Sequence, residues 1–299
     1  MNRLMIAGAN GMTGSEVSER AAGFGWTVLP YSHGKLDITR VKDVASAVQE
    51  CRPDIIANCA GYTGVDRAEL EPALAAAVNA DGARNLARAA AAAGVPIIHV
   101  STDYVFAGDA RAPYAPDAIT GPLGIYGRTK LEGEAAVREE TPSHAIIRTS
   151  WVFSHRGHNF VKTIMRLAAE RDELRVVNDQ VGRPTSAADL AEALLVAAGA
   201  LGHDPGYEGT YHFANAGETT WFDFAHGILE ELRAKGENLS TKLVPIATSE
   251  YPTAAKRPQY SVLDTSSFTE RFGVVPRPWR DALRDTIALS LHEAAMAKA

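Results

Sequence analysis

Tyr126 and Lys130 lie four residues apart in the segment GIYGRTKLEGE, and Ser101 and Thr102 end an apolar run earlier in the chain. If Tyr126 opens a helix, this spacing sets Lys130 on the same face one turn later. A phenol ionises near pH 10 and is a poor acid–base group at neutrality. A cationic amine beside it favours the phenolate and draws the group toward the working range. A hydroxyl delivered by a strand end, here Thr102, would hold a carbonyl oxygen against the phenol. Such a trio can move a proton to or from a carbonyl/alcohol pair. The spacing alone also fits a tyrosine that packs a helix start ahead of a solvated lysine, so the surroundings must decide.

Those surroundings alternate. Arg3 to Ala7, Thr27 to Tyr31, Asp54 to Asn58, Pro96 to Ser101 and Ala145 to Thr149 read as buried parallel strands. Met12 to Phe24, Val41 to Cys51, Ala73 to Ala93 and Tyr126 to Glu140 read as helices between them. The pattern predicts an α/β fold, a Rossmann-type doubly wound parallel sheet with right-handed crossovers. Its dinucleotide-binding domain would span residues 1–150. Beyond Trp151 the rhythm loosens into a smaller C-terminal substrate-binding lobe, 151–299, with segments of about 174–215 returning to the first domain. Helices are expected at Asn159 to Glu170, Ala187 to Leu201 and Trp221 to Lys235, and strands at Leu174 to Val177 and Thr210 to Ala214. The tail from Leu243 onward reads as proline-rich.

Gly8-Ala9-Asn10-Gly11-Met12-Thr13-Gly14 falls between the first strand and the first helix. Glycines there permit a tight turn and close approach of a pyrophosphate to backbone N–H groups, and the helix N-terminus favours the anion. The alternative is a glycine turn that only lets helix pack on strand. After the second strand the chain reads LPYSHGK, with Ser32, His33 and Lys35 and no carboxylate until Asp37. That chemistry suits a 2′-phosphate better than a bare ribose diol, so NADPH is expected ahead of NADH. Asp37 and Ile38 could frame the adenine edge.

Bulk properties narrow the class. The chain has 299 residues, 46% hydrophobic and 22% charged, with a net charge of -6 and scattered basic residues. Nucleic acid is not an expected partner, because phosphate neutralisation needs a basic face. The opening MNRLMIAGANG reads as strand and turn, not as a leader or a membrane span. Cys51 and Cys59 have no metal spacing and read as free thiols of a cytoplasmic protein.

Taken together, the glycine motif and the YGRTK segment resemble the extended short-chain dehydrogenase/reductases. The resemblance narrows to the dTDP-4-dehydrorhamnose reductases through RPDIIANCAGYTGVDRAE, STDYVF, RTSWVF, NFVKTIMRLA, NDQVGRPTSAADLA and YPTAAKRP. It implies NADPH-dependent reduction of a 4-keto sugar carried on a nucleotide, within dTDP-rhamnose and cell-surface polysaccharide biosynthesis. It assigns Tyr126 as proton donor and Lys130 to the nicotinamide ribose, where it would depress the tyrosine pKa. Thr102 would bond the carbonyl oxygen, and Asp103, Trp151 and Arg257 would meet the sugar nucleotide. Gly8, Gly11, Met12, Thr13, Gly14, Asp37, Ile38, Gly61, Tyr62 and Thr63 would line the cofactor. Some members hold magnesium between dimer partners through three carboxylates. Glu16 matches the first position, but Ala188 and Leu289 occupy the others, so no metal is expected and the state is monomer or homodimer. Two other readings compete: a sugar-nucleotide dehydratase or epimerase, and a non-catalytic cofactor-binding regulatory subunit. The first lacks a second carboxylate after Thr102-Asp103; the second would not need the intact catalytic set.

Overall fold

The computed structural model describes residues 2–296. Five strands, β1 (Asn2–Ala7), β2 (Trp26–Tyr31), β3 (Ile55–Asn58), β4 (Ile97–Thr102) and β5 (His144–Thr149), are joined by a sixth, Gly209–His212. Their order across the sheet is sixth–β5–β4–β3–β1–β2, with every neighbouring pair parallel. The chain reverses direction of build between β1 and β3, which is where such sheets open a crevice.

Side-chain alternation divides the core. Leu4, Ile6, Ile55 and Ile147 face helices Met12–Arg20 and Ala187–His203 through Val17, Leu190 and Leu194. Met5, Ile56, Ile97 and Ile146 face helices Val41–Cys51 and Gly82–Ala93 through Val44, Val48, Leu86 and Ala90. A period of two, buried on both faces, explains why these strands read as continuous apolar runs. A third cluster fills the small lobe, where helices Phe160–Glu170, Trp221–Ala234 and Trp279–Met296 enclose Phe153, Phe224 and Ile228.

Several details depart from expectation. The stretch 174–215 divides: Glu173–Val177 pairs with Lys242–Ile246 outside the main sheet, while Ala187–His203 and Gly209–His212 rejoin it. The helix expected over Ala73 to Ala93 is broken by a π-helical turn, Ala77–Asp81, between Pro72–Ala76 and Gly82–Ala93. The turn packs closely on a neighbouring helix: a Cβ on Gly133 would lie 2.1 Å from the Asn79 carbonyl oxygen. A short helix, Val65–Leu70, follows β3 where none was expected. The proline-rich tail carries helices Ser266–Phe272 and Trp279–Met296, the latter beginning directly after Pro278. Among the described residues, no helix is long and apolar enough to cross a membrane.

Candidate active site

The glycine turn is built for close approach. Gly8 sits at φ 80, and a Cβ there would lie 2.6 Å from the Ala60 nitrogen; one on Gly14 would lie 2.2 Å from the Gly8 oxygen. Gly11 caps the helix Met12–Arg20, whose first turn has no acidic residue to occupy its free N–H groups. Beside it runs a groove of about 360 Å³ lined by Gly8, Gly11, His33, Asp37, Ile38, Gly61 and Tyr62. Asp37 accepts from Thr39 N and Oγ1 at 3.0 and 2.8 Å, bonds that hold its carboxyl below the usual range. Met12 turns away, with its side chain against Gly157 and Asn159. Thr63 is exposed beyond Tyr62.

Asn79, which the sequence reading passed over, fixes the Gly61-Tyr62 edge of that groove. Its Oδ1 accepts from Tyr62 N at 2.8 Å, and its Nδ2 donates to Tyr62 O at 3.2 Å and Thr129 Oγ1 at 3.1 Å. The groove is thereby tied through one amide to Thr129. A lone buried polar residue within AAAVNADGA was the available signal.

The helix Ile125–Glu140 starts where Glu69 Oε1 accepts from Ile125 N at 2.7 Å, a carboxylate at a helix N-terminus. This carries Tyr126 and Lys130 toward the carboxyl end of β4. Thr102, last residue of β4, donates to Asp103 Oδ1 at 3.1 Å and accepts from Tyr104 N at 3.2 Å. Asp103 is buried, its carboxyl pushed up to about 6 chiefly by that burial. Its Oδ2 has no hydrogen-bond partner among the described residues. Lys130 Nζ donates to Val100 O at 2.6 Å, and burial draws its ammonium down to about 8.

The expected lowering of the phenol by Lys130 is not what this geometry gives. Enclosure pushes Tyr126 up to about 12, against the pull of the Thr102 hydrogen bond, and the Asp103 charge raises it further. Below Lys130, Glu134 was also missed, although it lies four residues on. Its carboxylate receives Arg148 Nε and Nη2 at 2.8 and 2.7 Å and the Ser101 hydroxyl at 2.6 Å.

Trp151, expected at the sugar nucleotide, is engaged within the protein. It holds a left-handed backbone, φ 46, an uncommon conformation for a bulky residue. Its ring stacks on Trp221 with centroids 3.6 Å apart and planes at 8°, and it remains half-buried. Arg257 is already engaged: its Nη2 and Nη1 meet Asp66 Oδ2 and Oδ1 at 2.7 and 3.1 Å. Glu16, Ala188 and Leu289 do converge, on a separate cavity of about 580 Å³. There Arg20 and His155 take the Glu16 carboxylate.

A sequence model described as the RmlD substrate binding domain matches residues 1–291. The chain is 41% identical to the dTDP-4-dehydrorhamnose reductase of Shigella flexneri over 93% of this chain and 94% of that protein. A crystal structure of a dTDP-4-dehydrorhamnose reductase from Clostridium acetobutylicum superposes with a TM-score of 0.90 at 40% identity, covering 96% of this chain and 99% of that one. The Bacillus anthracis dTDP-4-dehydrorhamnose reductase, crystallised in complex with NADP, gives a TM-score of 0.88 at 39% identity, with coverage of 96% and 99%. On this footing the chain belongs to the dTDP-4-dehydrorhamnose reductase family.

Proposed function

We propose that this protein uses NADPH to reduce the 4-keto group of dTDP-4-dehydro-L-rhamnose, yielding dTDP-L-rhamnose. The observation that carries the reading is Thr102 at the end of β4, beside the buried Asp103 whose Oδ2 has no partner among the described residues, with Lys130 of the Tyr126 helix bonded to Val100 of the same strand. A dinucleotide fits the neighbouring groove, because Gly8, Asn10 and Gly11 of the turn line it and the uncapped helix start offers N–H donors. When bound, the cofactor supplies the hydride.

The chain's own residues do the remainder. Thr102 hydrogen-bonds the substrate carbonyl oxygen and orients it. Tyr126 gives that oxygen its proton; a phenol held near 12 arrives protonated at neutral pH, as a donor in the reductive direction must. Lys130 binds the nicotinamide ribose as a cation. Asp103 Oδ2 accepts a sugar hydroxyl, and Trp151 packs against the sugar nucleotide. Arg257 reaches the diphosphate only by exchanging its Asp66 carboxylate for it. The Gly8, Gly11, Met12, Thr13 and Gly14 turn takes the pyrophosphate through its backbone. Asp37 and Ile38 take the adenosine end, and Gly61, Tyr62 and Thr63 the far edge, while Ser32, His33 and Lys35 favour the 2′-phosphate. Two free cysteines suit a reducing compartment, the cytoplasm. The assembly is a monomer or homodimer, which light scattering of the purified protein distinguishes.

The test is oxidation of NADPH in the presence of dTDP-4-dehydro-L-rhamnose, with NADH run alongside. Turnover by the wild type and a loss of roughly two to four decades in Tyr126→Phe, with NADPH still bound, are expected. Full turnover in that variant would remove Tyr126 as donor, and no ketosugar turnover at all would remove the reading.

A further inference from the structure

Behind the reacting face, Asn58 at the end of β3 and His99 within β4 form a line with Lys130, and all three are buried. The direction of each hydrogen bond along it can be worked out. Ala60 N donates to Asn58 Oδ1 at 3.1 Å. A backbone N–H can only donate, so that side of the amide is its oxygen. The other side, 3.0 Å from His99 Nδ1, is therefore the NH₂ group, which also only donates. Nδ1 must be the bare nitrogen of a neutral imidazole, whose proton then sits on Nε2.

That Nε2–H faces Lys130 Nζ at 3.5 Å. An ammonium has no lone pair, so a charged Lys130 meets this N–H donor to donor. A neutral amine can accept it and still donate to Val100 O at 2.6 Å. We infer that Asn58 and His99 form a tautomer lock that loosens Lys130's hold on its proton and sets the upper pH limit of the enzyme. The inference rests on the proposed role of Lys130 as a cation beside the reaction.

The other groups around Lys130 leave room for this effect. Glu134, one turn along the same helix, favours the ammonium, but its charge is shared among Arg148, Arg138 and Ser101. Cys59 reaches it from the end of β3, and burial pushes that thiol up to about 12, so it stays uncharged. His99 itself is held neutral by burial first, then by the positive charges of Lys130 and Arg138 and by His144 of β5. Burial moves Lys130 the same way as the lock, down to about 8.

The experiment uses full-length protein labelled with ¹⁵N-histidine. In the wild type, the His99 ring should show an unprotonated Nδ1 and a protonated Nε2 at every pH at which the protein is folded. Its signals should shift once, as Lys130 titrates. Asn58→Asp can accept from both Ala60 N and His99 Nδ1, so it should flip the tautomer and turn an Nε2 lone pair toward Lys130. The alkaline limb of kcat/KM should then rise by one pH unit or more, with the plateau little changed. A proton found on Nδ1 of the wild-type ring overturns the lock, even if the variant does not fold. So does a limb that stays in place after the tautomer flips, or one that moves while Nε2 keeps its proton, since the added charge alone would explain it. If the protein turns over no ketosugar, the proposed function fails while the ring signals still decide the lock.

Discussion

At the scale of single residues, the candidate site buries a cation at a cost to the fold. Lys130 is buried with its folded proton affinity drawn from the ordinary lysine value to about 8. The unfolded chain thus binds that proton more tightly, and the cost is complete below about pH 8 and fades as pH rises toward the ordinary lysine value. Lys130→Met should therefore abolish turnover yet stabilise the fold at pH 7 by about 1–3 kcal/mol, after loss of the Val100 bond. Thermal denaturation of the pair checks it; a less stable variant would contradict the account. Glu134 has the opposite sign. Its carboxyl is held low by Arg148, so its support is present above the ordinary carboxylate range and drains as pH falls through the lowered folded value. Glu134→Gln leaves the Arg148 guanidinium buried without its partner and should cost about 3–5 kcal/mol at pH 7. In denaturant titrations, the gap to wild type should close toward acid. That Tyr126 and Lys130 share one helix and Thr102 ends a strand was legible, because residue type and spacing encode those placements. The raised phenol was not, because burial arises from distant parts of the chain that spacing does not report.

At the scale of elements, strand–helix alternation was readable because parallel strands are buried on both faces and their apolar runs are uninterrupted. The π turn at Ala77–Asp81 was not, since the helix it packs on, at Gly133 against the Asn79 carbonyl, is distant in the chain. Such turns often mark functional positions, and this one aims the Asn79 amide at Tyr62 and Thr129. Asn79→Ala would strand the Tyr62 N–H and carbonyl and free the catalytic helix from the groove. Weaker NADPH binding and a loss of about 2 kcal/mol in stability are expected, read by cofactor titration and melting; unchanged affinity would contradict the coupling. The helix Trp279–Met296 lies in the proline-rich tail, directly after Pro276 and Pro278. Proline stops a helix from within but is well placed just ahead of one.

For the whole molecule, the parallel order places the carboxyl ends of β1, β2, β3, β4 and β5 on one side, and the proposed positions Gly8, Asp37, Gly61, Thr102 and Trp151 each follow one of those ends in the chain or close it. A ligand that spans this side stabilises the native state by mass action. NADPH at about a hundred times its Kd should add about 2.7 kcal/mol, an increase of several degrees in Tm for a chain of this size. NADH should give less at equal concentration, and equal shifts would remove the preference for the phosphorylated cofactor. The stack of Trp151 on Trp221 joins a turn after β5 to the first residue of a small-lobe helix. Two indoles that close share their electronic excitation. The protein therefore carries its own optical ruler: a coupled ultraviolet circular-dichroism band should report any shift of the turn after β5 against the helix Trp221–Ala234 without an added dye.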